Sequence, residues 1–259
     1  RELIEEQMLE LHFDPRLAFV NHEGETYIFP QTLHLAETSV ARRLMDMTKM
    51  TLDKPWLSME QAIETIQEED GIVFAEKQRE GIVQSFSHGV HVITGGPGTG
   101  KTTTLRAILK IADKLGLSVS LAAPTGRAAK RMTEATGAPA STVHRLLEYT
   151  YSPEGMFFQR DGDNPLEADM FIIDETSMMD IVLMQHLLEA IPITSRLILL
   201  GDENQLPSVG PGNVLADILE SDEIPSTFLT EIFRQAQESM IITNAHRIND
   251  GEMPDARGD

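Results

Sequence analysis

Cysteine is missing from all 259 residues, so disulfides and thiolate metal sites are excluded, a composition that suits a reducing cytoplasm. Aromatic residues are sparse as well: one Trp, three Tyr and ten Phe leave any core to aliphatic side chains and methionine. No apolar run approaches the roughly 20 residues that a bilayer-spanning helix needs, and no charged-then-apolar leader opens the chain, so neither membrane nor export is expected. Positive charge is short too, with 21 Lys+Arg against 41 Asp+Glu and a net charge of −20. A polyanion partner usually meets a basic surface, and the total speaks against one. The distribution is less simple. Residues 1–70 carry 6 basic against 15 acidic side chains, 71–160 carry 11 against 6, and 161–259 carry 4 against 20. One basic stretch between two acidic ones permits a phosphate-backbone partner without demanding it. At 41% apolar content the chain can bury the core of one large domain with an appendage. It opens on Arg1 rather than methionine, which suggests an excised segment.

The first fifty residues contain "LAFVNHEGETYIF" (17–29), two short β-type runs around Glu23 and Gly24, and then the helical pattern "LAETSVARRLMDM". Residues 1–57 read as a small accessory module, with "KPWLS" (54–58) as its linker. Ser58 with Gln61 fits a capping box at the start of a helix. From there strands and helices alternate: "VHVIT" (90–94), a helix from Lys101, "LSVSLAA" (117–123), a helix from about Thr125, "MFIID" (170–174), a helix over 180–191 and "RLILL" (196–200). Four short apolar strands separated by helices imply an α/β fold, a parallel sheet with helices on both faces, and ligands bind such sheets beyond the carboxyl ends of the strands.

"GGPGTGKT", from Gly95, satisfies the phosphate-loop pattern with a strand before it and a helix after it. Its glycines let backbone N–H groups turn inward, and the helix N-terminus adds positive potential. Gly96, Pro97, Gly98, Thr99, Gly100, Lys101, Thr102 and Thr103 are therefore expected to bind ATP. Lys101 can reach the β and γ phosphates, and the Thr102 hydroxyl can ligate Mg²⁺. "FIIDET" (171–176) puts Asp174 and Glu175 directly after a buried strand. With the P-loop present, Asp174 is expected to hold Mg²⁺ and Glu175 to act as general base toward water, whereas alone the pair could simply cap a helix. Gln78, in "FAEKQREGI" (74–82), either faces solvent or offers its amide to the adenine edge.

Further along, "AAPTGRAAKRM" (122–132) leaves the second core strand at Pro124 and presents Thr125 and Arg127 at a helix start, followed by Lys130 and Arg131. Hydroxyl and guanidinium donors at a helix N-terminus suit a backbone phosphate on a polymer. "STVHRLLE" (141–148) repeats the theme with Thr142, His144 and Arg145, although a lone histidine such as His144 is often just part of the surface or core. "LLGDENQLPSVGPG" (199–212) ends an apolar run and continues into a Pro/Gly loop that can form neither helix nor central strand.

The succession "GGPGTGKTTT", "APTGRAA", "STVHRLL", "IIDETSMMD", "GDENQLPSVGPG" and "LTEIFRQ" resembles the first motor domain of a RecD-like superfamily 1 DNA helicase over residues 70–250. The resemblance implies a RecA-like ATPase domain over 58–235 that couples ATP hydrolysis to 5′-to-3′ movement on single-stranded DNA, with 5′-tailed duplexes as substrates and subunits of a repair or recombination complex as partners. It assigns Gln205 to sensing the γ-phosphate, Arg234 to the role of arginine finger, and Pro124, Thr125, Arg127, Thr142 and His144 to the nucleic acid. It also implies that residues 146–169, with Tyr149, Tyr151, Phe157 and Phe158, form an inserted duplex-splitting pin; these rings could equally bury themselves. Residues 236–259 correspond to the start of a second motor domain whose later motifs do not follow, so weak hydrolysis and no unwinding are expected of this chain alone. A P-loop ATPase that loads or remodels protein partners, and a nucleotide-gated docking module, remain as alternatives.

Overall fold

The computed structural model describes residues 11, 13–50, 57–152, 155–232, 239–249 and 251–255. β1 (Leu17–His22) and β2 (Glu25–Pro30) pair antiparallel. Glu23 and Gly24 between them both have positive φ, 51° and 85°, the handedness that a two-residue hairpin turn requires. The hairpin anticipated over 17–29 is therefore present. α1 (Gln31–Thr48) follows, and its stripe Ala36, Val40, Leu44 and Met47 is buried. These positions lie three or four residues apart, on one face of the helix. They share one apolar cluster with the sheet, so α1 covers the main core and is not set apart from it.

α2 (Met59–Asp70) and α3 (Glu76–Ser87) lead into β3 (Val90–Gly95) and α4 (Lys101–Leu115). Ser58 occupies the N-cap of α2, yet its side chain makes no capping bond and its hydroxyl donates to Glu60 at 3.2 Å. The capping box expected with Gln61 does not form. β4 (Val119–Ala123), α5 (Gly126–Thr136), β5 (Ala140–Thr142) and the one-turn α6 (Val143–Leu146) come next. The antiparallel pair β6 (Thr150–Ser152) and β7 (Gly155–Phe157) makes a separate small sheet. β8 (Met170–Ile173), a 3₁₀ turn over Thr176–Met178, α7 (Ile181–Ala190), β9 (Arg196–Gly201), α8 (Val214–Glu220), β10 (Ser226–Leu229) and α9 (Met240–Asn249) complete the described elements.

The main sheet has the order β10-β3-β9-β8-β4-β5, with every neighbouring pair parallel. Side chains alternate between its two faces, as strand geometry dictates. Val90, Val92, Phe171, Ile173, Leu197 and Leu199 join the cluster formed with α1, α7 and α8. Ile93, Met170, Ile172, Ile198 and Leu200 join the opposite cluster with α2, α3 and α4. Burial on both faces explains why the central strands read as unbroken apolar runs. β5 and β10, short strands at the two edges, extend the four anticipated strands to six.

Candidate functional site

β3 lies between β9 and the edge strand β10, and its chain turns at once into the P-loop. Gly98 (φ 79°) and Gly100 (φ 86°) adopt left-handed conformations on either side of buried Thr99. The Thr99 hydroxyl donates to the Gly96 carbonyl at 2.8 Å and draws the loop closed. Gly95 has no room for a side chain: a Cβ there would lie 2.7 Å from both the Leu229 carbonyl oxygen and the Thr99 hydroxyl. Lys101 opens α4, and its ammonium donates to the carbonyls of Gly95 and Gly96. Burial pulls the Lys101 pKa below the usual lysine range, while the nearby carboxylates of Asp202, Asp174 and Glu175 work against that shift.

Lys101, Thr102, Asp174 and Glu175 line one cleft of about 220 Å³, together with Arg131 from α5. Two motifs more than seventy residues apart thus converge because β3 and β8 point the same way, each flanking β9. Burial raises the Asp174 carboxyl pKa, opposed by the Glu175 N–H, which donates to it at 2.8 Å, and by Lys101. Burial also raises Glu175, and the Asp174 charge adds to the effect. Glu175 has φ 55°, a left-handed conformation that a non-glycine residue seldom adopts. Such backbone strain is found where surrounding structure dictates a side chain's direction. Arg131 was not singled out by sequence for this cleft, nor was Asp202, which is 3% exposed directly after β9, outside the lining but near enough for its charge to act on Lys101. The signal for Asp202 is its place after "LLG", the same strand-end position that marks Asp174.

Gln78 does not face solvent. It is 2% exposed, accepts from the Ala75 N–H at 3.0 Å and donates to the Gly100 carbonyl at 3.2 Å. Its amide joins the start of α3 to the end of the P-loop, an internal use that differs from the expected contact with adenine. Gln205 follows β9, the neighbour of β3, but its side chain is exposed and outside the lining of the cleft. Arg234 lies outside the described residues.

Ala123 pairs with Thr142 across β4 and β5, so the two stretches expected at nucleic acid emerge side by side. The Thr125 hydroxyl accepts from the Ala128 N–H at 3.2 Å and caps α5; the Thr142 hydroxyl accepts from the Arg145 N–H at 3.1 Å and caps α6. Each hydroxyl keeps its own proton to donate elsewhere. Pro124 is half-buried, while Arg127 and His144 are exposed. His144 also meets Tyr149 edge-on at 5.5 Å, and Phe158 packs against His144, Tyr149 and His186 with centroids 4.6–5.9 Å apart. Phe158 thus roots the hairpin on the body, and Tyr151 (77% exposed) and Phe157 (46%) project from it.

A parallel sheet with a P-loop after one central strand and paired acids after another defines a P-loop NTPase. Residues 78–211, more than half of the chain, match the AAA domain family, and the chain belongs to it. The chain is 45% identical over 180 residues to the ATP-dependent RecD2 DNA helicase of Deinococcus radiodurans (70% of this chain, 24% of the relative). It is 40% identical over 168 residues to the RecBCD enzyme subunit RecD of Mycolicibacterium smegmatis (56% and 30%). Among solved structures, Pif1 helicase from Candida albicans superimposes with a TM-score of 0.51 at 27% identity, covering 71% of this chain and 46% of that one. The RecD-like resemblance and the α/β P-loop fold are both borne out. The matched regions amount to 24–30% of the length of these two curated relatives. Among the described residues no helix is long and apolar enough to cross a membrane.

Proposed function

We propose that the chain is the ATP-hydrolysing motor domain of a RecD-like DNA helicase, moving 5′-to-3′ on single-stranded DNA in repair or recombination. The observation that carries this reading is the convergence of Lys101, Thr102, Asp174 and Glu175 on one cleft, with two threonine-capped helix starts at neighbouring strand ends of the same sheet. The relatives named as DNA helicases supply the class of polymer; the RecBCD subunit names among them motivate partner subunits, and a cytoplasmic setting goes with both.

In this reading Lys101 exchanges its carbonyl partners for β- and γ-phosphate oxygens, and the N–H groups of residues 96 and 98–103 hold the rest of the phosphate chain. Thr102 and Asp174 offer hard oxygen donors on one cleft, a set that fits Mg²⁺ because this ion keeps most of its waters and takes few protein ligands. Bound there, magnesium supplies charge neutralisation for the phosphates. Glu175, its basicity raised by burial, orients water in line with the γ-phosphorus and takes its proton. Arg234 neutralises charge on the transferring group. Gln205 reports the presence of that group to the loop over 206–212, which moves against the strand held by Pro124, Thr125, Arg127, Thr142 and His144.

Two measurements test this. Glu175→Gln is expected to retain ATP and to lower its hydrolysis by about 10²-fold or more. Affinity for 5′-tailed duplex is expected to exceed that for 3′-tailed and blunt duplexes and to fall steeply with salt. Hydrolysis indifferent to DNA, with salt-independent binding, would instead favour a protein-remodelling ATPase.

A further inference from the structure

α9 follows β10 at a distance, yet it returns to the nucleotide site. Among the described residues none of its side chains is buried, and Ile241 (83% exposed) and Ile248 (56%) face outward. Residues 242–247 are half-buried, and polar tethers add to their packing. Asn244 donates to the Asp255 carbonyl at 2.9 Å and accepts from the Asp255 N–H at 2.7 Å, fixing the helix to the chain that follows it. Half a turn on, His246 lies against the P-loop. Its Nε2 is 3.0 Å from the Pro97 carbonyl oxygen, and a Cβ at Gly96 would come within 2.8 Å of its Cε1. The ring therefore rests on a patch of backbone that only glycine leaves open.

Two elementary facts give this contact a consequence. A carbonyl oxygen only accepts, so the proton of this bond belongs to Nε2 of His246. A trans peptide is planar, with its C=O and N–H pointing in opposite directions. With the Pro97 oxygen held by His246, the Gly98 N–H of the same peptide points away from that ring, the orientation it needs to face phosphate in a P-loop. Gly98 continues in a left-handed conformation, the alternation that lines successive N–H groups along one concavity.

We infer that His246 is a positioning residue of the nucleotide site: its Nε2–H holds the Pro97–Gly98 peptide with the N–H aimed at phosphate, and so links nucleotide occupancy to the placement of α9. The inference rests on the proposed use of the P-loop for ATP. Because such linkage is reciprocal, ATP stabilises the docked α9 to the same extent that docked α9 stabilises ATP.

The test uses the intact protein, a non-hydrolysable ATP analogue with Mg²⁺, and three variants. His246→Phe keeps the ring and removes the donor; it is expected to weaken analogue binding about fivefold, the equivalent of one hydrogen bond of ~1 kcal/mol. His246→Gln places an amide N–H near the former Nε2 and is expected to recover most of that loss. Hydrogen exchange over 240–249 is expected to slow on adding analogue to the unsubstituted protein and to respond less in His246→Phe. Equal losses for Phe and Gln would reduce His246 to a packing role, and unchanged affinity in His246→Phe, or exchange over 240–249 that ignores the analogue, would overturn the inference. Lys101→Ala separates the two levels: if it abolishes binding while His246→Phe does nothing, only the role of His246 falls, whereas binding that survives Lys101→Ala removes the P-loop reading itself.

Discussion

Gln78 illustrates how a single side chain can join distant parts of a site. Its amide, 2% exposed, is engaged at both ends: the oxygen accepts from the Ala75 N–H, and the nitrogen donates to the Gly100 carbonyl, which Thr104 also contacts. Leaving a buried polar group without its partner costs on the order of 1–3 kcal/mol. Gln78→Ala is thus expected to lower the urea midpoint, through the orphaned Ala75 N–H, and to weaken ATP binding, since the lost tie to α3 is made at the residue just before Lys101. Gln78→Glu retains the acceptor for Ala75 but loses the donor to Gly100, so it should spare the start of α3 and still impair the nucleotide. Local sequence could not disclose this: Gln78 and Gly100 are separated by 22 positions, and a helical glutamine looks the same whether it faces inward or outward. His246 was hidden for the same reason. By contrast Lys101, Thr102, Asp174 and Glu175 were legible because each stands at a fixed offset from a strand end, where backbone geometry alone sets the direction of the side chain.

At the scale of elements, close approaches between backbones decide what the sequence tolerates. Gly89 precedes β3 at the place where α1 ends, and a Cβ there would overlap the Met47 carbonyl oxygen, a backbone atom that cannot swing aside. Gly89→Ala is expected to destabilise the fold by about 1–3 kcal/mol through overpacking, measurable as a shifted denaturation midpoint. Another junction concerns the loop after β9. Asp180 caps α7 by accepting from the Leu183 N–H at 2.8 Å, the Ile181 N–H donates to the Pro211 carbonyl at 2.9 Å, and a Cβ on Gly210 would collide with the Asp180 carboxylate. The loop bearing Gln205 is therefore moored to the start of a core helix. Asp180→Ala removes the cap at a cost of ~1 kcal/mol, and amide exchange over 202–212 is expected to accelerate. The buried strands were readable as apolar runs. β5, "AST", and β10, "STFL", were not, because edge strands of three or four residues rich in hydroxyls carry no apolar period; only their neighbours make them strands.

For the molecule as a whole, His91 sets a dependence on pH. It is 1% exposed, 3.1 Å from the Ser85 hydroxyl and 3.0 Å from that of Thr227, so it bridges α3, β3 and β10. Burial lowers its pKa from 6.5 to about 3, with the charge of His88 adding a little. The folded-state value is depressed, hence the unfolded chain binds the extra proton first. Stability from this group is complete above pH 6.5 and declines as acid is added, by up to about 1.4 kcal/mol per pH unit for one proton. Between about pH 6 and 4.5, before most carboxylates titrate, denaturation midpoints are expected to fall, and His91→Asn should flatten that slope. Composition gave no hint of this; eight histidines in a chain of net charge −20 say nothing of which one is enclosed.

Since β3 is flanked by parallel ladders on both sides, Thr94 is in register with Gly201 on one strand and with Phe228 on the other. Hydrogen-bonded neighbours cannot slide independently. Any substitution that shifts the end of β3 must therefore be accommodated on both flanks at once, by β9 with the Pro/Gly segment that follows it and by β10.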